Sequence, residues 1–197
     1  MPKSGLTSPR VIAGIDEAGR GALAGPVVAC CVVFKPHFKD VGILNDSKQL
    51  SPSKRYAIYT QILPYIEFGI GLCTHRQIDR TNILRATLLA MQKSARRCLA
   101  EYDHIIVDGN RKPNILGSIE TQVKADARIP EVQAASIMAK VIRDQIMTRY
   151  HDRYPHYGFH QHAGYGTKNH YHALSTHGPC PIHRRGFNLN RQLTLWT

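Results

Sequence analysis

Acidic residues are scarce in this chain. Its 197 residues include 14 Asp and Glu against 26 Lys and Arg, which gives a formal net charge of +12 at pH 7. From residue 153 onwards there is no Asp or Glu at all. This basic balance predicts an anionic partner, with nucleic acid first and a membrane surface second, although charge alone does not choose between them.

Long hydrophobic runs and paired cysteines are also missing. The longest uncharged apolar stretch, 21–34, is shorter than a membrane-spanning helix and contains Pro26. The first ten residues have no apolar core, so we expect no signal peptide. The five cysteines are odd in number and form no CxxC pair, which indicates reduced thiols in a cytosolic protein and excludes a disulfide framework.

The remaining composition is that of a globular protein. Hydrophobic residues make up 43% of the chain and charged residues 20%, so it can bury an ordinary core, and disorder and coiled coil are disfavoured. The length suits one domain. We expect a single domain over residues 1–197, with a sheet-and-helix core at about 11–150 and a basic, His- and Tyr-rich C-terminal region at about 151–197.

Apolar patterning predicts strands that alternate with helices. The predicted strands cover 11–17, 27–34, 66–73, 104–107 and 119–123. The predicted helices cover 51–63, 82–99 and 132–150. Ser51 is the expected N-cap of the first helix and Pro52 its first residue. The alternation predicts an α/β sandwich around one sheet, and the tight turn between the first two strands predicts an antiparallel pair within a mixed sheet.

The C-terminal region combines basic, histidine and aromatic residues. Seven of the 11 histidines lie after residue 152, interleaved with tyrosines. Such a segment suits phosphate contact with base or sugar stacking, and equally a solvated basic surface whose aromatics pack on the core. We expect the histidines to be surface hydrogen-bonding groups near phosphates, some gaining charge below about pH 6.5. Their spacing fits no standard zinc finger.

Carboxylates stand in two unusual places. Asp16 and Glu17 end an apolar strand just before Gly19-Arg20-Gly21, and Asp108 ends the strand 104–107. Burying such groups costs several kcal/mol unless something compensates them, and strand ends are where α/β sheets build sites. Carboxylates that converge would raise each other's pKa through charge repulsion, and bound divalent cations would remove that repulsion. An all-oxygen set favours Mg²⁺ or Mn²⁺, and two such ions serve phosphodiester hydrolysis.

Each acid also has an ordinary structural interpretation. Asp16 and Glu17 could cap a helix or pair with Arg20, Asp108 begins a common turn sequence, and Asp126 alone is uninformative. The functional interpretation requires these residues to act together. A carboxylate cluster that binds metal, in a basic protein that binds a polyanion, is consistent with a nuclease. The alternatives are a non-catalytic nucleic-acid-binding domain and another two-metal nuclease of the same fold.

An ordered set of motifs resembles the ribonuclease HII family. They are GIDEAGRG at 14–21, AGPVV at 24–28, DSK at 46–48, VDGN at 107–110, KAD at 124–126, AASI at 134–137, AKV at 139–141, RD at 143–144, YGF at 157–159, HAGYGT at 162–167 and HRR at 183–185. The set covers roughly residues 11 to 187. The opening motif is fairly specific, and the ordered set is much more so.

The resemblance implies a ribonuclease H-like catalytic domain of the α/β class: a mixed five-stranded sheet flanked by helices, with a helical C-terminal region. It implies metal-dependent cleavage on the 5′ side of a ribonucleotide, in RNA–DNA hybrids or singly embedded in duplex DNA, leaving 3′-hydroxyl and 5′-phosphate ends. The implied role is removal of misincorporated ribonucleotides. We expect a cytoplasmic monomer with no membrane association and two Mg²⁺ or Mn²⁺ ions per active site during turnover.

The resemblance also assigns residues. The four family carboxylates, which would be catalytic and metal-binding, are Asp16, Glu17, Asp108 and Asp126. The nucleic-acid-binding residues would be Gly19, Arg20 and Gly21, whose loop contacts the 2′-hydroxyl in the family, together with Lys48 at a phosphate or the carboxylates and Tyr165 against the adjacent sugar.

Some positions depart from the family pattern. Ala22 replaces the usual proline, Ala125 the usual glycine before Asp126, and Gln133 the first of three alanines. Ala163 replaces a lysine, which removes a phosphate contact worth about 1 kcal/mol or less. Separately, a helical face with Ser136, Lys140 and Arg143 could bind phosphates or could be solvated, and Asp144 could pair with Lys140.

Overall fold

A computed structural model describes residues 10–36, 38, 41–44 and 50–190. Within them, five strands form one mixed sheet in the order β3-β2-β1-β4-β5. The strands are β1 (Ile12–Ala18), β2 (Val27–Phe34), β3 (Ile66–Cys73), β4 (His104–Asp108) and β5 (Ile119–Gln122). β1 is antiparallel to β2 and parallel to β4. This confirms the expected mixed sheet and the antiparallel first pair.

The helices flank the sheet and continue into the C-terminal region. They are α1 (Pro52–Ile62), α2 (His75–Arg80), α3 (Ile83–Arg97), α4 (Pro130–Arg153), α5 (Phe159–His162) and α6 (Lys168–His177). Ser51 caps α1 by accepting a hydrogen bond from the Lys54 N–H, as expected. The short α2 was not predicted, since its start depends on a capping box between Thr74 and Gln77 rather than on apolar periodicity.

Both faces of the sheet are covered. One face packs against α3 in a cluster that includes Ile15, Val107 and Met91, and the other packs against α4 in a cluster that includes Val32 and Met138. Gly14 allows α4 to approach β1 closely, because a Cβ there would overlap the backbone at Glu131. The close approach brings the first turns of α4 beside the last residues of β1.

The C-terminal helices pack in a third cluster built on Phe159, Tyr171 and Leu174. This confirms the helical C-terminal region implied by the family resemblance. It corrects one expectation, because His170 and His183 are buried in this region instead of lying on its surface.

The described part of the chain contains neither a disulfide nor a membrane-spanning helix. All five cysteines lie in the described ranges and are free, as expected for reduced thiols. No helix in the described part of the chain has the length and apolar character needed to cross a membrane.

Candidate active site

The sheet topology brings the predicted carboxylates to one edge. Asp16 and Glu17 are near the end of β1, and Asp108 is the last residue of β4. These strands are parallel neighbours in which Ile15 pairs with Val107, so the residues that follow each of them, Asp16 and Asp108, lie side by side. Carboxyl ends of parallel strands are where α/β proteins place ligands.

The electrostatics of these side chains reflect their crowding. Burial raises the pKa of Asp16 well above its ordinary value, and the charges of Glu17 and Asp108 raise it further, against hydrogen bonds from Ser136 and the Glu17 amide. Burial also raises the pKa of Glu17, while Arg20 opposes that rise through an ion pair of 3.3 Å between Nη1 and Oε1. The expected mutual repulsion is therefore present, and the expected alternative partner of Glu17, Arg20, is present as well.

The segment that carries Asp126 contacts the end of β4 through the preceding residue, Ala125. Asp126 lies in a 3₁₀ turn, Ala125–Ala127, and the Ala125 N–H donates a 2.7 Å hydrogen bond to Oδ1 of Asp108. Lys124 enters this turn with φ 60°. The contact places the segment carrying the fourth predicted carboxylate against the third, although Asp126 follows β5 and is distant from Asp108 in sequence.

The donor set suits a hard divalent cation. It consists of carboxylate oxygens at a partly buried strand edge. Burial and mutual repulsion raise the pKa values of Asp16 and Glu17, and a cation would favour their ionised forms. Among the described residues, no three His, Cys, Asp or Glu side chains are already gathered tightly enough to hold an ion. The backbone thus brings the segments that carry the predicted ligands together, at the ends of β1 and β4 and in the turn Ala125–Ala127.

A pocket of about 340 Å³ opens beside Glu17. Its lining includes the predicted loop residues Gly19, Arg20 and Gly21, together with Lys140 and Tyr165. A second, smaller pocket is lined by Glu17, Arg20 and Asp108 among others. Glu17 and its ion-pair partner Arg20 line both pockets, so Glu17 is the predicted carboxylate that lies next to the Gly-Arg-Gly loop.

Two buried arginines bind backbone carbonyls in the segment 19–26, which contains this loop. Arg184 donates to the carbonyls of Gly19 (2.7 Å), Arg20 (2.9 Å), Gly25 (3.0 Å) and Pro26 (3.1 Å). Within the described residues it forms no ion pair, and burial and the charge of Arg143 lower its pKa to about 9. A guanidinium's planar fork of donors suits such a set of carbonyls.

Arg143 connects the loop with the C-terminal region. Its guanidinium donates to Pro26 O (2.9 Å), Ala24 O (3.1 Å) and Ala163 O (2.9 Å). A Cβ on Gly19, whose φ is +95°, would overlap this guanidinium. The expectation that Arg143 is solvated or binds phosphate is therefore wrong, since its side chain is fully buried.

Sequence reasoning missed the role of both arginines. A charged residue on a predicted helix or in a basic tail normally faces solvent. The sequence did contain one indication of this role, the high content of glycine and proline in 19–26. Such a segment forms no strand, so its backbone carbonyls need hydrogen-bond donors from elsewhere in the protein.

Tyr165 lines the pocket that contains the Gly-Arg-Gly loop. Its ring is half-buried, with Lys140 Nζ 5.0 Å and the Arg143 guanidinium 5.2 Å from the ring centroid. Lys140 Nζ also contacts Asp144 at 3.1 Å, which confirms the expected i, i+4 pair. Lys48, with the rest of the 46–48 motif, lies outside the described residues.

A larger pocket of about 510 Å³ lies elsewhere, between α2 and residues 179–185. None of the four predicted carboxylates lines it. Size alone would select this pocket, whereas the predicted carboxylates lie at the edge formed by β1 and β4, which is therefore the candidate site.

Comparison with known proteins gives a consistent result. The family model for ribonuclease HII matches residues 13–190. Ribonuclease HII of Dechloromonas aromatica is 47% identical over 187 residues, which cover 94% of this chain and 95% of that protein. The crystal structure of ribonuclease H2 from Pyrococcus horikoshii OT3 matches with a TM-score of 0.72 and 27% identity, over 92% of this chain and 95% of that one. Bst ribonuclease HIII in complex with Mn²⁺ shares the fold, with a TM-score of 0.74 at 18% identity, over 94% of this chain and 69% of that one.

Proposed function

Because the chain belongs to the ribonuclease HII family of metal-dependent endoribonucleases acting on RNA–DNA hybrids, we propose that it cuts on the 5′ side of a ribonucleotide. The target is a ribonucleotide in a hybrid or a single one embedded in duplex DNA, and the products carry 3′-hydroxyl and 5′-phosphate ends. The role that follows is removal of misincorporated ribonucleotides from DNA. We propose that the protein acts as a single-domain cytoplasmic monomer.

The proposed catalytic residues are the four carboxylates. Asp16, Glu17, Asp108 and Asp126 would hold two Mg²⁺ or Mn²⁺ ions during turnover. The chemistry that these ions supply is activation of the attacking water and stabilisation of the leaving 3′ oxygen. The protein contributes the position of the ligands, at the ends of β1 and β4 and in the turn Ala125–Ala127, and no side-chain nucleophile is required.

The proposed selectivity residues are those of the neighbouring pocket. Gly19, Arg20 and Gly21 present backbone to the ribonucleotide, where the 2′-hydroxyl is the group that distinguishes RNA from DNA. Arg184 fixes the carbonyls of Gly19 and Arg20, so the loop is held before substrate arrives. Tyr165 faces the same pocket, where its ring can pack against the adjacent sugar.

One observation carries the proposal. Glu17 lines both the pocket with the Gly-Arg-Gly loop and Tyr165 and the pocket with Asp108. A ribose read by the loop would therefore lie next to the phosphate that the carboxylates act on. This adjacency supports cleavage at a ribonucleotide over cleavage at arbitrary positions of a duplex.

The test uses three end-labelled duplexes of one sequence: DNA with one ribonucleotide, all-DNA, and an RNA–DNA hybrid. We expect Mg²⁺- or Mn²⁺-dependent cutting 5′ of the single ribonucleotide, cutting of the hybrid, no cutting of all-DNA, and no activity in EDTA. The variant Asp16→Asn should lose this cutting. Asp152→Asn, which changes an exposed aspartate on α4, serves as its matched control. Equal cutting of the all-DNA duplex would refute the selectivity, and binding without cutting would favour a non-catalytic binding domain.

A further inference from the structure

Three histidines from the C-terminal region form a compact group behind Tyr165. His170 and His183 are buried, with their Nε2 atoms 3.0 Å apart. The His162 ring stacks on His170 with centroids 4.6 Å apart and planes 18° apart. None of these side chains lines the proposed substrate pocket, so the proposed reaction does not account for them.

The hydrogen bonds determine the protonation of His170. Its Nδ1 lies 2.9 Å from the Tyr165 carbonyl oxygen. A carbonyl can only accept, so Nδ1 must carry the proton. In the neutral ring Nε2 is then an acceptor, and it faces His183.

The protonation of His183 follows from that of His170. Its Nε2 must donate to His170 Nε2, which leaves its Nδ1 as an acceptor. The Cys180 N–H lies 2.9 Å from that Nδ1 and supplies the matching donor. The Cys180 carbonyl, 3.2 Å from the same atom, already accepts from the His183 backbone N–H. The bonds thus run in one direction, from Cys180 through His183 and His170 to Tyr165.

His162 and Arg143 hold the residues just before Tyr165. His162 donates from Nε2 to Tyr157 O at 2.8 Å, and its Nδ1 accepts from the Gly164 N–H at 3.2 Å. Arg143 donates to the Ala163 carbonyl. Residues 163, 164 and 165 are therefore each held through a backbone group by a side chain, although Ala163 has the unfavourable φ of 47°.

We propose that His170 and His183 form a neutral hydrogen-bonded relay which, together with His162 bound to the Gly164 N–H, positions Tyr165 for recognition of the sugar beside the ribonucleotide. These histidines are positioning residues, since they act through the backbone of the loop and do not reach the pocket. The proposal deepens the proposed function and rests on it for the role of Tyr165. The geometry of the relay itself is independent of that role.

The titration behaviour of the group agrees with this geometry. Burial lowers the pKa of His170 to about 4, and His162 and His183 lower it further, against the hydrogen bond to Tyr165. Burial likewise lowers the pKa of His183 to about 4, with His162 and His75 acting in the same direction. A protonated ring could not accept at the nitrogen that faces its neighbour, so the relay requires neutral rings.

The first experiment reads the tautomers in the wild-type protein. Long-range ¹H–¹⁵N correlation spectra at pH 7 should show His170 protonated at Nδ1 only and His183 protonated at Nε2 only. Exposed His172 on the same helix serves as the internal reference for a solvated ring. A His170 protonated at Nε2, or a doubly protonated ring, would overturn the relay whatever the enzyme's substrate proves to be.

The second experiment tests the connection to Tyr165. The measured quantity is the ratio of kcat/KM for a single embedded ribonucleotide to kcat/KM for a long hybrid. His170→Ala should lower this ratio by about 2- to 10-fold, the effect of one lost hydrogen bond. His170→Asn, whose amide can still donate to the Tyr165 carbonyl, should restore most of the ratio. His172→Ala should leave the ratio at the wild-type value.

A double-mutant cycle separates positioning from general destabilisation. If His170 acts through Tyr165, the variant with both His170→Ala and Tyr165→Ala should be no less selective than Tyr165→Ala alone. Additive losses, or equal losses for His170→Ala and His170→Asn, would overturn the positioning role. If Tyr165→Ala alone leaves the ratio unchanged, the proposed role of Tyr165 fails, and the tautomers still decide whether the relay exists.

Discussion

Replacement of Arg143 by methionine tests how the segment 19–26, which contains the Gly-Arg-Gly loop, is held against the C-terminal region. Methionine keeps much of the apolar stem but removes three hydrogen bonds to the carbonyls of Ala24, Pro26 and Ala163. The Pro26 carbonyl keeps a bond from Arg184. The carbonyls of Ala24 and Ala163 receive no other donor among the described residues.

The size of the effect follows from those two carbonyls. A buried acceptor left without a donor costs about 1–3 kcal/mol, so the free energy of unfolding should fall by about 2–6 kcal/mol. Relief of the repulsion between Arg143 and Arg184 offsets part of this and favours the lower half of the range. Since the free energy of unfolding of a domain is about 5–15 kcal/mol, the variant should still fold, but its remaining free energy of unfolding should be small.

Urea unfolding, followed by circular dichroism, measures this change. Arg149→Met, on the same helix but exposed, is the matched control and should differ from wild type by about 0.5 kcal/mol or less. The folded Arg143→Met variant should also discriminate less well between a ribonucleotide-containing duplex and all-DNA. A loss of stability no larger than that of the control would refute the view that the Arg143 guanidinium holds the segment 19–26 and Ala163 together.

The remaining predictions concern the carboxylates, Tyr165 and pH. Asp16→Asn should abolish turnover. In EDTA at pH 7 the same variant should have a raised melting temperature, because the raised pKa of Asp16 means that its ionised form destabilises the metal-free fold. A lowered melting temperature in EDTA would contradict this. Tyr165→Ala should reduce cleavage at a single ribonucleotide more than cleavage of long hybrids, and equal losses in steady-state assays would count against a role at the junction. Between about pH 6.5 and 4 the unfolded chain binds protons that folded His170 and His183 do not, so the free energy of unfolding should decrease as the pH falls through this window. Urea titrations should show a weaker pH dependence in His170→Asn, and an unchanged dependence would remove that residue from the explanation.

The strands and the central carboxylates were predictable because their signals are local. β-branched runs bounded by Gly and Pro gave the first two strands, and apolar patterning gave the other three, all to within one residue at each end. Asp16 and Asp108 were unusual because each follows such a run. Asp126 was not predictable from its surroundings, since its contact with the site passes through the Ala125 amide and Asp108.

The buried polar network was not predictable from the sequence. Arg143, Arg184 and His170 belong to residue types that usually face water, and nothing nearby in the chain marks them as buried. Their partners are backbone carbonyls and amides from distant segments, such as 19–26 and 163–165. The glycine and proline content of 19–26 indicates carbonyls that need donors, but neither periodicity nor composition shows which distant side chains supply them.

The most direct test of the account is the location of a bound metal ion. Crystals of the wild-type protein equilibrated with Mn²⁺ should give an anomalous difference peak coordinated by carboxylate oxygens of both Asp16 and Asp108. Asp16→Asn crystals treated identically should lose or weaken that peak. Manganese bound only elsewhere, or bound at this edge without either carboxylate, would contradict the claim that β1 and β4 bring their acids together to share an ion.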